Sequence, residues 1–466
     1  MFGIGGGRVL ERLERWFQLK KHGSDVRTEV IAGLSTFMAM AYILFVNPSI
    51  LSIAGVPRDG VFFATAVGAG LATLAMGLFV NYPIALAPGM GLNAFYTFTV
   101  VLGMGIPWQT ALGAVFISGV IFLILTVTRV RQLIIEAIPS SLKHAITVGI
   151  GLFITLIGLK LTGIMTVVLS LTPDTLKAVE AGHGNAVASP LDTVITMGNV
   201  LKPDTLVAIL GIVLIGILMA LRVRGAVLLG ILGTMLIGVP FGVTDLSHFK
   251  LVQVPHFDQT IIGQLDILGA LKLGLLTVIF TFTFVELFDS LGTIVGTAQR
   301  AGLIDESGSF PRIGRALAVD AAAVTGGAVL GTSTITAYIE SATGIAAGGR
   351  TGLTAVVVGV LFLLAVFFAP VAGIIPDAAT APALVIVGVL MMAAVKGIDF
   401  DDFTVALPAF LTIVLMPFTY SIANGVSAGL LLYPLMKLVT GRAKEVHWIL
   451  WVLAAVVLAR FIWLMA

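Results

Sequence analysis

Three carboxylic acids lie inside segments that are otherwise apolar enough to cross a membrane. Glu286 and Asp289 stand in 282-FTFVELFDSLGTIVG-296, and Glu340 stands in 331-GTSTITAYIESATG-344. An ionised carboxylate at the centre of a membrane helix costs roughly 2.5–3.5 kcal/mol, and such residues usually serve a ligand or an ion pathway. A desolvated acid can accept N–H donors from a ligand, and it can also hold a proton.

Structural roles are open or favoured for three acids in or near the apolar segments. Asp289 shares a helix face with Glu286, three residues before it, but Asp289 could instead bond to backbone or to helix ends. Asp320 has few polar neighbours in the sequence, which favours a structural role. Glu29 begins the first apolar segment and is typical of an acid at a helix N-terminus.

The composition indicates an all-α polytopic membrane protein. The 466 residues are 58% hydrophobic and only 11% charged, whereas soluble domains carry about 25% charged residues. A net charge of +2 argues against a nucleic-acid partner, and the lack of cysteine excludes disulfides and thiolate metal sites. The sequence has no HExxH or Walker motif, so we expect neither an enzyme nor a cofactor.

The apolar runs predict about fourteen spans. They fall near 29–54, 60–81, 83–103, 107–128, 143–163, 204–221, 225–243, 268–298, 314–330, 331–349, 351–373, 380–396, 403–421 and 423–440. A further apolar segment, 446–466, could span the membrane or lie in the interface.

Lysine and arginine clusters fall on one side of this topology, which predicts a cytoplasmic N-terminus. Residues 1–27 are amphipathic, with Leu10, Leu13, Trp16 and Phe17 on one helical face, and predict a helix lying on the membrane. Residues 164–203 are predicted to form a solvated extracytoplasmic loop.

Spans 3 and 10 are both interrupted by residues that break helices. Pro83 and Pro88 remove backbone donors, so Ile84–Pro88 and, in span 10, Thr332–Thr334 are predicted to be extended. A half-helix follows each break, and Glu340 is expected about two turns into the second. Matching breaks in two seven-span halves predict a 7+7 inverted repeat, which is typical of transporters.

The half-helix N-termini offer free N–H groups near Gly91 and Thr334, which would bind the acceptor atoms of a ligand. The alternative for the glycines is close helix packing.

At four segments the sequence resembles the AzgA-like purine permeases, a branch of the nucleobase–cation symporters with the uracil-permease fold. The segments are 39-AMAYILFVNP-48, 86-LAPGMGLNAFYTF-98, 284-FVELFDSLGTIVG-296 and 331-GTSTITAYIESATG-344. The likeness runs from about residue 28 to residue 444. It implies a core domain (28–128, spans 1–4, and 268–373, spans 8–11) that moves against a gate domain (129–243, spans 5–7, and 378–440, spans 12–14).

The resemblance also implies proton-coupled import of hypoxanthine, guanine or adenine, with sodium as the alternative coupling ion. Its binding positions correspond to Asn93, Glu286 and Glu340, and Glu286 or Asp289 would carry the proton. The family usually has aspartate at the position of Glu286, and a related branch has histidine where this chain has Ser290. The expected binding site is completed by the half-helix residues and by candidate stacking rings, namely Gly91, Thr334, Thr336, Phe95, Phe282 and Tyr338.

Other functions of the same fold are open at this point. Uracil or xanthine transport is the nearer alternative, and an anion carrier would need fixed positive charge between spans 3 and 10, where this chain has acids. A membrane-embedded enzyme is disfavoured by the lack of a nucleophile–base pair. The resemblance suggests a bacterial inner membrane, with the purine and the lipid bilayer as partners, and glycine-rich surfaces permit a homodimer.

Overall fold

Apolar helices occupy the positions of the predicted spans. The computed structural model describes residues 11–128, 137–169, 193–247, 250–253, 261–272, 276–303 and 311–465. Within these residues, nine helical runs are long and apolar enough to cross a membrane, and five shorter apolar helices accompany them. The predicted all-α polytopic fold is therefore confirmed, and the chain is a multi-pass integral membrane protein.

Among the first seven spans, span 3 is the broken segment. In chain order they are Val26–Met40 with Ile43–Ile53 (span 1), Arg58–Ala75 continuing as the π-helix Met76–Val80 (span 2), Met90–Ala94 continuing as the π-helix Phe95–Gly103 (span 3), Trp108–Val127 (span 4), Ser140–Leu161 (span 5), Pro203–Ala220 (span 6) and Ala226–Gly238 (span 7).

The second set has the same order of long and broken segments. A short helix, Ile267–Lys272, precedes Leu276–Arg300 (span 8), and then come Ile313–Leu330 (span 9), Ser341–Ala346 (span 10), Gly352–Ala365 with Val366–Phe368 and Ala369–Ile374 (span 11), Asp377–Met392 with Ala393–Gly397 (span 12), Phe403–Phe418 (span 13), Ile422–Val439 (span 14) and the C-terminal helix Trp448–Met465.

Proline sets where several of these helices begin. Pro57, Pro107, Pro139 and Pro376 stand immediately before spans 2, 4, 5 and 12, and Pro203 is the first residue of span 6. Proline lacks a backbone N–H and has a helix-compatible φ, so it is tolerated at a helix start, where that donor would have no intrahelical partner.

Two short strands form the breaks in spans 3 and 10. Strand β1, Leu86–Pro88, pairs antiparallel with strand β4, Ile335–Ala337, and Leu86 lies opposite Ala337. All six residues are buried. The extended stretch that was predicted in span 3 is confirmed, and the two breaks meet in one small sheet.

The prediction for span 10 was wrong by three residues. Gly331, at φ +93°, ends the helix of span 9, and the N–H of Thr332 still donates to the carbonyl of Gly327 at 3.0 Å. Extended chain can therefore begin only after this cap. The following helix starts at Ser341, so Glu340 stands immediately before it and not two turns inside it.

Strands β2 (Met165–Leu169) and β3 (Thr193–Met197) pair as a hairpin within the predicted loop 164–203. Residues 170–192 of that loop lie outside the described residues.

The spans pack in two sets. Spans 1 and 2 pack against span 11, and span 9 packs against spans 2 and 4. Span 5 packs against spans 12, 13 and 14, while span 6 packs against spans 7 and 12. The boundaries of the core and gate domains stay predictions.

The N-terminal helix is partly anchored to the protein. Phe17 and Leu19 are buried in one cluster with Leu353 of span 11, while Trp16 is 65% exposed. Phe17 therefore does not face the lipid surface as the amphipathic pattern predicted, because it packs against span 11. Residues 1–10, which include Leu10, lie outside the described residues. At the other end, the C-terminal helix packs against span 14.

Candidate functional site

Side chains of neighbouring spans hold the two-stranded sheet in place. The N–H of Gly89 donates to the carbonyl of Thr334, and the N–H of Tyr338 donates to that of Ala85, each at 2.9 Å. On the outer edge of β1, the N–H of Leu86 donates to Thr73 Oγ1 of span 2 at 2.9 Å. Extended backbone at membrane depth is tolerated only where the protein satisfies its polar groups, and these contacts meet that condition.

Asp320 has the structural role that its sequence context favours. Its Oδ1 accepts the N–H of Ala337 in β4 at 3.2 Å, and its Oδ2 accepts the hydroxyl of Ser290 in span 8. The acid thus ties β4 to span 8. Ser290, where a related branch has histidine, is committed to this contact.

Span 8 brings Glu286 to the breaks. The helix packs against β4, against the half-helix Ser341–Ala346 and against the half-helix Met90–Ala94, and Glu286 is fully buried. The backbone of Asp289 belongs to the same helix, but its side chain lies outside the described residues. Glu340 is half-buried, and its Oε1 accepts the hydroxyl of Tyr42 of span 1 at 2.7 Å.

The three candidate aromatic residues differ in their contacts. The rings of Phe95 and Phe282 are both buried and meet edge to face, with centroids 5.1 Å apart. Phe282 is one helical turn from Glu286, so this pair lies beside the acid. The hydroxyl of Tyr338 donates to the carbonyl of Pro88 at 2.6 Å, which braces the sheet.

Gly91 lies in the first turn of the half-helix Met90–Ala94. A Cβ added there would lie 2.6 Å from Cγ2 of Ile150 in span 5. Gly91 therefore lacks a side chain because span 5 packs closely against it. Its backbone N–H belongs to the first helical turn, where amides have no partner within the helix.

Asn93 is fully buried on the same half-helix, and its Nδ2 donates to Oδ1 of Asn47 in span 1 at 2.6 Å. Nδ2 of Asn47 donates in turn to Thr65 of span 2 and Thr332, just before β4. Neither Asn47 nor Tyr42 was among the residues predicted from sequence. The signal available in the sequence was an asparagine immediately before Pro48, within the apolar segment that contains the motif FVNP.

Four buried polar atoms at the breaks have no hydrogen-bond partner among the described residues. They are Oδ1 of Asn93 and the hydroxyls of Ser333, Thr334 and Thr336. More than about 90% of buried polar groups in native proteins are hydrogen-bonded, and a group left unsatisfied costs about 1–3 kcal/mol. A concentration of such groups where spans 3 and 10 meet is what a polar ligand site would present.

Comparisons with known proteins cover nearly the whole chain. The family model Xan_ur_permease, described as Permease family, matches residues 27–166 and 160–428. The chain is 46% identical to the adenine permease AdeP of Escherichia coli (strain K12) over 433 residues, which are 93% of this chain and 92% of that protein. It is 45% identical to the guanine/hypoxanthine permease PbuG of Bacillus subtilis (strain 168) over 463 residues, 97% of this chain and 100% of that protein.

A solved structure shares the fold at low sequence identity. The transmembrane domain of a cyanobacterium bicarbonate transporter, BicA, superposes with a TM-score of 0.61 at 15% identity, covering 86% of this chain and 96% of that one. At this identity the likeness concerns the fold alone.

Proposed function

This chain belongs to the Permease family that the Xan_ur_permease model describes, and from that premise we propose that it takes up purine nucleobases by proton symport. It is a transporter and not an enzyme, since the related proteins are named permeases. Hypoxanthine, guanine and adenine are the proposed substrates, because relatives named for each of them are 45–46% identical to this chain.

The observation that carries this proposal is the cluster of buried polar atoms without protein partners at β1 and β4. Asn93, Thr334 and Thr336 contribute atoms from both broken spans. A flat heterocycle with N–H groups and ring acceptors would satisfy them and recover the free energy that their burial costs.

Each class of site residue suits one part of a purine. Glu286 and Glu340 would accept ring or exocyclic N–H groups, and bonds to an ionised carboxylate are stronger than neutral ones. The free amides at the start of the half-helix Met90–Ala94 would donate to ring acceptors. Phe282 and Phe95 would contact the base, with Phe282 placed one turn from Glu286.

In this proposal Glu286 or Asp289 carries the coupled proton. Burial disfavours the charged form of a carboxyl group, so the acid can be neutral when the site is sealed and can lose its proton when one side opens. Sodium is the alternative coupling ion, and no organic cofactor takes part.

Transport would proceed by movement of the core domain against the gate domain, in an elevator-like or rocking motion. Among the described residues, hydrogen bonds join these domains at the end that is predicted to be extracytoplasmic, together with a salt bridge of 3.8 Å between Arg58 in span 2 and Asp377 in span 12. The hydroxyl of Thr99 in span 3 donates to the carbonyl of Tyr420 at 2.8 Å, and the hydroxyl of Thr380 in span 12 donates to Ser49 Oγ of span 1 at 3.2 Å. These contacts would have to separate for a base to enter from outside.

The contacts between the two halves support an inverted repeat. Glu29 in the first turn of span 1 binds Thr351 and Thr354 at the start of span 11. Asp266, just before the short helix that leads into span 8, accepts the hydroxyl of Thr110 at the start of span 4 at 3.2 Å. The first span of each half thus contacts the fourth span of the other half, as an inverted repeat predicts.

The proposed location is a bacterial inner membrane with a cytoplasmic N-terminus, and a homodimer is the proposed assembly. The charge bias of the loops supports the orientation.

An uptake panel tests the substrate and the coupling ion together. Radiolabelled adenine, guanine, hypoxanthine, xanthine and uracil are supplied to proteoliposomes that hold a pH gradient, with and without a protonophore. We expect purine uptake that the protonophore abolishes and that Glu286→Gln with Asp289→Asn uncouples from the gradient. Purine uptake that still dissipates the gradient in this double variant would refute the assignment of the proton to these acids. Uptake of uracil or xanthine alone would refute hypoxanthine, guanine and adenine as the substrates.

A cross-linking experiment tests the domain movement. Because the chain has no cysteine, a Ser49→Cys/Thr380→Cys pair would provide its only thiols, at positions whose hydroxyl oxygens are 3.2 Å apart. We expect oxidation to stop uptake and reduction to restore it, whereas each single variant should respond to neither. Undiminished uptake in fully cross-linked protein would show that these two spans need not separate.

A further inference from the structure

A chain of buried hydrogen bonds with one fixed direction runs from span 2 through span 1 to span 3. It starts at the carbonyl of Val61, whose oxygen can only accept. Thr65 Oγ1 lies 2.6 Å from that oxygen, so its single proton must lie between the two oxygen atoms. The hydroxyl of Thr65 is then left with only its acceptor lone pairs for its next neighbour.

This next neighbour is the amide of Asn47, which is fully buried. One of its two amide atoms lies 2.7 Å from Thr65 Oγ1 and 2.9 Å from Thr332 Oγ1. Because Thr65 must accept here, that atom is the nitrogen, and the carbonyl oxygen of Asn47 faces the other way. The orientation of this amide thus follows from the hydrogen-bond network.

The carbonyl oxygen of Asn47 lies 2.6 Å from the amide of Asn93 and must receive a proton from it. Nδ2 of Asn93 is therefore turned to Asn47, and Oδ1 of Asn93 is left as the outward end of the chain. This oxygen is buried and has no hydrogen-bond partner among the described residues.

We propose that Asn47 and Thr65 are positioning residues that fix Asn93 as a hydrogen-bond acceptor, and that the ligand edge which reaches Asn93 carries an N–H or amino group. This rests on the proposed function, and it adds the polarity of one subsite. The ionised forms of Glu286 and Glu340 also accept only, whereas the hydroxyls of Thr334 and Thr336 can donate or accept.

The consequence concerns discrimination between bases. Adenine carries an amino group at C6 and a bare ring nitrogen at N1, whereas hypoxanthine carries an oxygen at C6 and an N–H at N1. Along this edge the two bases exchange donors and acceptors. In a given pose, a fixed acceptor at Asn93 forms a hydrogen bond with one of the two bases and faces an acceptor atom of the other. If the Asn93 amide were free to rotate, it could form a hydrogen bond with either base.

The test is the ratio of inhibition constants for adenine and hypoxanthine, measured by competition against uptake of the preferred radiolabelled base. Asn47→Leu removes the acceptor that holds the Asn93 amide. Because a mispaired buried group is costly, we expect the ratio to move toward unity by about tenfold, which corresponds to about 1.4 kcal/mol. Thr234→Val is the control, because Thr234 is a buried helical residue whose hydroxyl bonds to the carbonyl of Gly230 in span 7, away from the breaks, and its loss should leave the ratio unchanged.

A second pair of variants keeps the test decisive if Asn47→Leu fails to fold. Thr65→Val with Thr332→Val removes both acceptors of the Asn47 amide and should also flatten the ratio. Thr65→Ser with Thr332→Ser retains both hydroxyls and should keep the ratio of the unmodified protein.

Two outcomes are distinguished by this design. An unchanged ratio in the transport-competent valine pair would overturn the fixed polarity, while purine transport itself would stand. Absence of purine uptake in the unmodified protein, seen before any variant is made, would overturn the proposed function on which the inference rests.

Discussion

Buried polar groups in two regions of this molecule are satisfied in different ways. At the junction of spans 1 and 11, Glu29 is completely buried but accepts the N–H groups of Arg350, Thr351 and Thr354 at 3.0–3.3 Å, and also the hydroxyl of Thr354. The carboxylate therefore caps the N-terminus of the span 11 helix. Glu29 is near a helix N-terminus as predicted, but the helix it caps belongs to another span.

Where spans 3 and 10 meet, the described residues do not supply such partners. Oδ1 of Asn93 and the hydroxyls of Thr334 and Thr336 are buried to a similar degree, and no described residue bonds to them. Burial alone therefore does not identify a ligand site in a membrane protein. A polar group that the protein surrounds with donors supports the fold, whereas a group without protein partners is available to a ligand.

The largest effect is expected where the satisfied region is broken. Glu29→Gln replaces one carboxylate oxygen by an amide NH2 group. The N–H groups of Thr351 and Thr354 would then point at another donor instead of an acceptor. Because buried donors then lack an acceptor, we expect a loss of about 3 kcal/mol in stability. Thermal unfolding in detergent would show it as a lower midpoint.

Glu340→Gln is the matched control for that change. It makes the same chemical change in a half-buried acid at the proposed site, so uptake should fall while the thermal midpoint changes little. If the two variants lost stability equally, the distinction between the two regions would not hold.

A smaller effect of opposite sign is expected at the breaks. Thr334→Val with Thr336→Val replaces two hydroxyls by methyl groups of similar volume. Since each hydroxyl is buried without a partner among the described residues, its removal should leave stability unchanged or raise it by up to about 1 kcal/mol. Uptake should nevertheless weaken, by about tenfold in the Michaelis constant, if a base bonds to either hydroxyl.

The control for the threonine pair is Thr73→Val in span 2. Its hydroxyl both donates to and accepts from the backbone of Leu86, so the same substitution should cost stability there. A stability loss in the Thr334/Thr336 variant as large as that of Thr73→Val would indicate protein partners for the two hydroxyls.

The extended part of span 3 could be predicted from sequence because its signals are local. Pro83 and Pro88 lack backbone N–H groups, and this defines where helix cannot continue. In span 10 the deciding residue was Gly331, whose left-handed backbone ends the preceding helix. Nothing in the composition of Thr332–Thr334 distinguishes a helix cap from extended chain, and so the strand was placed three residues too early.

The partners of the site residues could not be predicted because they depend on packing between distant segments. Tyr42 and Glu340 are 298 residues apart in sequence, and Asn47 and Asn93 are 46 apart. Apolar periodicity identifies which segments cross the membrane but does not determine which faces meet. The sequence therefore does not identify Asn47 as the partner of Asn93, although Asn47 lies in 39-AMAYILFVNP-48.

A third group of charged residues supplies the smallest expected effect. At the predicted cytoplasmic ends of spans 13 and 14, Arg442 bonds to Asp402 and to Glu445 at 2.7 Å, and Lys437 bonds to the same two acids at 3.1 and 3.0 Å. Hydrogen bonds from Thr404 and then Arg442 hold the pKa of Asp402 below its usual value. Bonds from Arg442 and Lys437 do the same for the pKa of Glu445.

The direction of these pKa shifts sets where the cluster can respond to pH. A carboxyl group whose pKa is lowered by folding contributes stability above its unfolded value of about 4, and that contribution is lost only as the pH falls through the lower folded value. Between pH 5.5 and 8 the cluster stays charged, so Arg442→Gln should lower the thermal midpoint by a small amount that does not vary with pH. The pH profile of uptake should be unchanged, since in this window it would report the buried acids of the site. A shifted profile in Arg442→Gln would instead assign part of the proton response to the cytoplasmic ends of spans 13 and 14.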